Sequence, residues 1–392
     1  MHKMKIKLIK STFYKEKETK KELTEFITRS SKLSMGDECI KFENRFAKLH
    51  NYKFGVLVNS GSSANLLLIQ ALLILGKLKK GDKVGVSALT WSTNVMPLIQ
   101  LGLVPIPIDV EKNSLNVNVK NLAISHKEDK LKAFFITNLL GFCSNLSEIV
   151  KYCKSENILL MEDNCESLGS MHSNKLLGTF GIASTSSFFV GHHLSTIEGG
   201  MVITNDEYLN DALLIARAHG WSRNLKSNKQ DVLKNKNKID DFYDKYTFYD
   251  LGFNLRPTEI TGYLGNNQIN YLDKMISERE KNFKLFNKHA KLNPKFMQLD
   301  IMNLDIISNF AFPLVFNNRD DYFEYRNKFM ENGVEIRPIV SGNIIEQPFF
   351  NKYSNRVYKL KNATFIHENG FYFPNNPDLT SEEKEFLIDL LK

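Results

Sequence analysis

The stretch S-F-F-V-G-H-H-L-S-T-I-E-G-G, residues 187–200, decides the fold of this chain. Its first four residues, 187–190, read as a buried strand, and Gly199 and Gly200 read as a turn ahead of a second strand over 201–204. Between them stand His192 and His193, which taken alone are polar loop residues. Their meaning changes with E-D-N-C-E-S-L-G at 162–169, which follows the apolar run 158–161. An acid at the carboxyl end of a buried strand, followed by an irregular turn, lies where open α/β sheets collect their ligands.

Upstream, strands expected over 54–58, 84–87, 103–109 and 132–137 alternate with helical stretches, of which 66–76 is the most apolar. Repeated βα units of this kind imply a mainly parallel sheet covered by helices on both faces. Residues 35–50 carry Phe42, Phe46 and Leu49 at helical spacing and read as an amphipathic helix. N-S-G-S-S-A-N-L-L-L-I at 59–69 ends a strand in small residues and opens a helix, so that free backbone N–H groups and the helix dipole face an anion. Ser-Gly-Ser-Ser is also a good N-cap, which leaves the bare pattern unspecific. Past about residue 265 a long polar helix over 267–292 is followed by short stretches at 310–316, 320–332 and 334–338, the pattern of a small α+β domain. The expected division is a large domain over 1–265, with an N-terminal helical segment, and a small one over 266–392.

Of 392 residues, 42% are hydrophobic and 24% charged, which excludes a disordered or fibrous chain. The formal charge of +8 raises nucleic acid as a partner. Much of the excess, however, sits in 15–21, read as an exposed helical face, and 224–238, read as a loop insertion. Neither interleaves aromatics, so no nucleic-acid partner is expected. The basic start runs into Lys15-Glu16-Lys17-Glu18 without the apolar stretch of a signal peptide, and a cytoplasmic protein is expected. The helix at 66–76 is well short of the roughly 20 residues that span a bilayer, so no membrane partner is expected either. Cys39, Cys143, Cys153 and Cys165 are far apart with no His at zinc spacing, and read as buried thiols rather than a metal site.

In order, across nearly the whole chain, these motifs resemble those of the DegT/DnrJ/EryC1/StrS sugar aminotransferases, a branch of the fold-type I pyridoxal phosphate (PLP) enzymes. The resemblance implies a mainly parallel seven-stranded sheet between helices, plus a small α+β C-terminal domain. In most members a lysine, five residues after the serine of the S-F strand and six before the glutamate of E-G-G, holds the cofactor covalently. Here that position is His192. Imidazole cannot make the bond that a lysine amine makes, but it can act as a base. Together with Glu166, where most members carry Gln or His, and R-A-H-G-W-S-R-N at 217–224, the exchange resembles the sugar 3-dehydratase subgroup.

Site roles follow from the resemblance. Ser62 and Ser63 cradle the cofactor phosphate, with Ser187 a further donor. Trp91, otherwise a plausible core residue, stacks on the pyridine ring. Asp163 faces the ring nitrogen and keeps it protonated. Glu166 orients substrate or His192, a capping or salt-bridged acid being the alternative. Arg217, His219 and Arg223 suit a diphosphate or carboxylate and a sugar oxygen. Asn254, in D-L-G-F-N-L-R-P-T-E-I at 250–260, reaches the cofactor phosphate of a second subunit, which implies a homodimer with shared sites. Glu335 and Arg337, in V-E-I-R-P-I-V-S-G-N at 334–343, close over the substrate.

The implied reaction uses non-covalently held PLP and pyridoxamine phosphate (PMP), with glutamate as co-substrate. It removes the C3 hydroxyl of a nucleotide-linked 4-keto-6-deoxy sugar, GDP-linked by whole-motif similarity, toward a colitose-like 3,6-dideoxysugar for surface polysaccharide. A modest positive field favours such an anionic substrate. A relative acting on a CDP-linked sugar carries an iron–sulfur cluster on cysteines downstream of its histidine, whereas this chain has no cysteine after Cys165, so no cluster is expected. An aminotransferase using another lysine, a 3-dehydrase for a CDP-linked sugar and a non-catalytic binding member stay open as alternatives.

Overall fold

The computed structural model describes residues 5–392; residues 1–4, the first part of the basic start, lie outside the described residues. The strands of the first two-thirds are β1 (Phe54–Val58), β2 (Lys83–Ser87), β3 (Val104–Ile108), β4 (Ala133–Thr137), β5 (Leu159–Asp163), the short pair β6 (Met171–His172) and β7 (Lys175–Leu176), β8 (Ala183–Ser187) and β9 (Gly200–Thr204). Seven of them form one sheet in the order β1-β9-β8-β5-β4-β2-β3. Only β9 runs against its neighbours, β1 and β8; the other pairings are parallel. Parallel strands are covered on both faces, which is why β4 reads A-F-F-I-T with every residue buried. The helix Gly61–Ile74 has no polar stripe for the same reason: it lies in the core with Ala64, Leu67, Leu68, Ile69, Ala71 and Leu72 buried.

A second sheet is antiparallel, with β10 (Ala311–Val315) and β11 (Arg337–Pro338) on either side of β12 (Gly370–Pro374). Its core is aromatic: Phe312 and Phe373 have centroids 5.2 Å apart, and Phe316 and Phe371 5.3 Å apart. The expected strand over 334–338 shrinks to Arg337–Pro338 because the preceding residues pair with the N-terminal segment instead. Ile6 N–H donates to Gly333 O at 3.1 Å, and Glu335 N–H to Ile6 O at 2.9 Å.

Three further expectations need correction. The strand placed over 187–190 ends at Ser187, since the chain beyond it bonds to its own return limb: Phe188 N–H to Gly199 O at 2.9 Å and Val190 N–H to Ile197 O at 3.1 Å. The segment 224–238 is no loop but contains the helix Ser227–Asn237, which buries none of its residues. It lacks an apolar stripe to reveal it in sequence; Lys229 anchors it to Glu207 at 2.7 Å and Asp211 at 2.5 Å. The helix expected over 267–292 is broken into Glu259–Gln268, one 3-10 turn Ile269–Tyr271, and Leu272–Ala290. Cys39, Cys143 and Cys153 are buried and Cys165 is half-buried; all four are free thiols. Among the described residues no helix is long and apolar enough to cross a membrane.

Candidate active site

Parallel strands bring their carboxyl ends to one edge of the sheet, and there a cavity of about 280 Å³ opens. Asp163 ends β5 and faces it. Strand side chains alternate, so the adjacent Glu162 points the other way. Its carboxylate accepts from the N–H groups of Phe180 at 2.6 Å and of Gly178 and Gly181 at 2.8 Å, which makes it a structural acid. Asp163 is oriented instead by side-chain amides: Oδ2 accepts from Asn94 at 2.7 Å and from Asn65 at 3.0 Å, while Oδ1 accepts from Cys165 N–H at 2.9 Å.

Opposite lies the N-terminus of the helix Gly61–Ile74, capped by Ser60, whose Oγ accepts from Ser63 N–H at 3.1 Å. Ser60, Gly61 and Ser62 line the cavity, and so does Ser187 at the end of β8. Glycine is required at 61, because a Cβ there would stand 2.6 Å from the Ser187 Cβ. Ser63 does not line the cavity; its hydroxyl pairs with Ser60 Oγ at 3.0 Å. Trp91 lines the cavity with 52% of its surface exposed, an indole with an uncovered face rather than a core residue.

His192 enters from the loop after β8, and its ring lies 5.3 Å from that of Phe310 and 5.7 Å from that of Phe189. Burial among these rings pushes its pKa down to about 4, against the pull of Asp163 and with the help of the Arg279 cation. The imidazole is therefore a free base at neutral pH, and its Nδ1 has no hydrogen-bond partner. His193 plays the bland part of the pair: it is buried and its Nε2 bonds to Ser308 O at 3.0 Å.

Glu166 stands on the same wall, its Oε2 accepting from Leu140 N–H at 2.9 Å. Burial, with Asp163 nearby, pushes its pKa up to about 8, so its carboxyl is protonated near neutrality. Arg337 lines the far side beside Tyr372. Glu335 is not itself in the wall: one of its oxygens takes Arg337 Nη2 at 2.7 Å and the other takes Leu8 N–H at 3.0 Å. Leu8 and Ile9 thereby form part of the wall, which the sequence did not suggest.

Besides Ser63 and Glu335, four more expected ligand residues lie outside the cavity. Arg217 is buried elsewhere, its Nη1 donating to Glu43 Oε1 at 2.5 Å and to Leu57 O at 2.9 Å, and it does not line the cavity. His219 and Arg223 pack on Trp221, and Asn254 pairs with the nearby Ala218. The Arg223 guanidinium lies 3.9 Å over the indole, and Asn254 Oδ1 accepts from Arg256 Nε at 3.1 Å. This cluster adjoins the exposed Tyr246 and Phe248. The sequence did not single out Asn65, within N-S-G-S-S-A-N-L-L-L-I at 59–69, or Asn94, three residues after Trp91. The donor set fits PLP: an acid for the pyridine nitrogen, hydroxyls and a helix N-terminus for the phosphate, and an open indole for the ring.

The family model described as the DegT/DnrJ/EryC1/StrS aminotransferase family matches residues 14–392. The GDP-4-keto-6-deoxy-D-mannose 3-dehydratase of Escherichia coli O55:H7 is 38% identical over 372 residues, covering 93% of this chain and 94% of that protein. A solved E. coli GDP-4-keto-6-deoxy-D-mannose-3-dehydratase with bound hydrated PLP superposes with a TM-score of 0.89 at 34% identity, over 100% of both chains. Another, with a trapped PLP-glutamate geminal diamine, gives a TM-score of 0.89 at 34% identity over 98% of this chain and 99% of that one. The chain thus belongs to the DegT/DnrJ/EryC1/StrS aminotransferase family.

Proposed function

We propose that the chain is a PLP/PMP-dependent, glutamate-coupled 3-dehydratase of GDP-4-keto-6-deoxy-D-mannose, serving 3,6-dideoxysugar synthesis for surface polysaccharide. The observation that carries this reading is His192, a free-base imidazole in the cavity at the position where most of the family hold the cofactor by lysine. When bound, the cofactor supplies the amine that condenses with the sugar's C4 ketone and the conjugated ring that takes up electrons as the C3 hydroxyl leaves.

The chain's own residues do the rest. Asp163, held by Asn65 and Asn94, keeps the pyridine nitrogen protonated. Ser62, Ser187 and the helix N-terminus bind the phosphate, Ser63 supports them through Ser60, and Trp91 covers the ring. His192 takes the proton from the cofactor's C4′ carbon and, once protonated, is the nearest acid for the departing hydroxyl. Glu166 holds a second proton on the same wall. Arg337, steered by Glu335, faces the substrate's anionic groups.

The working unit is a homodimer in which Asn254, His219 and Arg223 of each subunit complete the other's site. The exposed aromatic surface beside these residues supports that assignment. Four free cysteines suit the reducing cytoplasm. The two sheets support a division near residue 265 into a large cofactor-binding and a small domain.

The test is mass spectrometry of products from protein, PLP, glutamate and GDP-4-keto-6-deoxymannose. Loss of the C3 oxygen with release of ammonia is expected. His192→Lys is expected to abolish it and to let borohydride fix the cofactor to the protein, which wild type does not allow. A stable 4-amino sugar from wild type would make the chain an aminotransferase, and turnover of only a CDP-linked sugar would change the nucleotide.

A further inference from the structure

Arg279, on the helix Leu272–Ala290, is buried, and among the described residues no carboxylate lies within ion-pair distance of it. Charged side chains are almost never fully buried without a partner. Here the compensation is backbone carbonyls. Nη1 donates to Asn375 O at 2.5 Å and to Asn309 O at 3.4 Å, while Nη2 donates to His192 O at 3.2 Å. Asn375 directly follows β12 and Asn309 comes shortly before β10. The Asn375 amide closes the arrangement, donating to Arg279 O and to Asn309 O, both at 3.1 Å. Phe310, the ring nearest His192 at 5.3 Å, comes from the same strand end. One guanidinium therefore grips the backbone of the histidine loop and the segment that supplies the wall against its ring.

We infer that Arg279 is a positioning residue for His192: it ties the loop carrying the imidazole to the ends of β10 and β12, and its positive charge opposes a second one on the ring. This rests on the reading of His192 as the base. Of the charged groups around the ring, Asp163 on β5 acts in the opposite sense, and His193 on the same loop is kept neutral by burial and by Arg279 itself. Glu166, Glu198, Arg337, Cys165 and Tyr372 line the same cavity. A carboxylate in contact with Arg279 would cancel its field at the ring; Asp378 acts on it only from beyond ion-pair distance, and the carbonyls take Nη1 and Nη2, leave Nε without a partner and leave the charge in place.

The test separates charge from geometry with Arg279→Met and Arg279→Lys. Proton–nitrogen correlation spectra of nitrogen-labelled histidine follow the His192 ring directly, identified by its loss in His192→Asn. In wild type the ring stays neutral down to about pH 4. In Arg279→Met it is expected to titrate at measurably higher pH, burial still holding it below an ordinary histidine. In Arg279→Lys the charge remains, so the titration stays near the wild-type value, while the lost fork lowers kcat about tenfold or more at little-changed KM. A His192 titration unmoved in Arg279→Met, or full kcat in Arg279→Lys, overturns the inference; a merely structural Arg279 would lower stability in both and shift neither. Should Arg279→Met fail to fold, the kcat and KM of Arg279→Lys decide. The base assignment fails separately, through normal turnover by His192→Asn.

Discussion

Asn94 donates its side-chain amide to Asp163 Oδ2 at 2.7 Å, and the same oxygen takes a second amide from Asn65 at 3.0 Å. Two neutral donors fix the carboxylate without neutralising it, which is what a partner for a protonated pyridine nitrogen needs. A hydrogen bond to a charged group contributes about 1.5–3 kcal/mol, so Asn94→Ala is expected to weaken PMP binding about tenfold or more. Absorbance titration of the cofactor-free protein reads this directly, and an unchanged Kd would mean that Asn65 alone holds the acid.

Two of the shifted groups in the cavity, His192 and Glu166, set the pH range of activity. His192 must be unprotonated, so kcat/KM rises as pH climbs through about 4. Glu166 is protonated below about 8, so activity that needs its proton falls as pH passes that value. Glu166→Gln keeps a neutral donor and is expected to retain the acid limb while losing the alkaline one. An alkaline limb that persists in this variant would belong to another group.

Arg217 and Glu43 form a buried ion pair at 2.5 Å, with Glu43 Oε1 also accepting from Leu57 N–H at 2.8 Å. Removing one partner leaves the other charged and buried, at a cost of about 3–5 kcal/mol. Arg217→Met is therefore expected to lower stability in urea unfolding by that amount while KM for the nucleotide sugar stays unchanged. A raised KM at full stability would restore Arg217 to the ligand residues.

Shared sites predict complementation. His192→Asn and Asn254→Ala are each expected to be impaired as homodimers. Mixed by subunit exchange, they place one intact site in every mixed dimer and recover about a quarter of wild-type turnover. Leu251→Asp, at an exposed position next to the Asn254 segment, is expected to yield inactive monomers in sedimentation velocity. Failure of the mixture to exceed either parent would confine each site to one chain.

Local features of the chain determined much of this protein. The strands β1 to β5, the acid at the end of β5, the capped helix start at Ser60 to Ser63 and the histidine after the S-F strand depend on spacing within a few residues, and spacing is visible in sequence. Tertiary structure shows why one group of a like pair reaches the cavity and the other does not: Asp163 beside Glu162, His192 beside His193, and Arg337 in contrast to the distant Arg217. Those choices turn on what packs against each side chain. Glu162 meets the N–H groups of Gly178, Phe180 and Gly181, Arg217 meets Glu43 from 174 positions away, and His192 is held by Arg279 from 87 positions away. The same holds for Leu8 and Ile9, which join the wall because Ile6 pairs with Gly333 and Glu335 and Leu8 N–H donates to the Glu335 carboxylate. Periodicity reports which face of an element is apolar, but the partner that meets a polar side chain is chosen by contacts far apart in the chain, and only the folded arrangement brings them together.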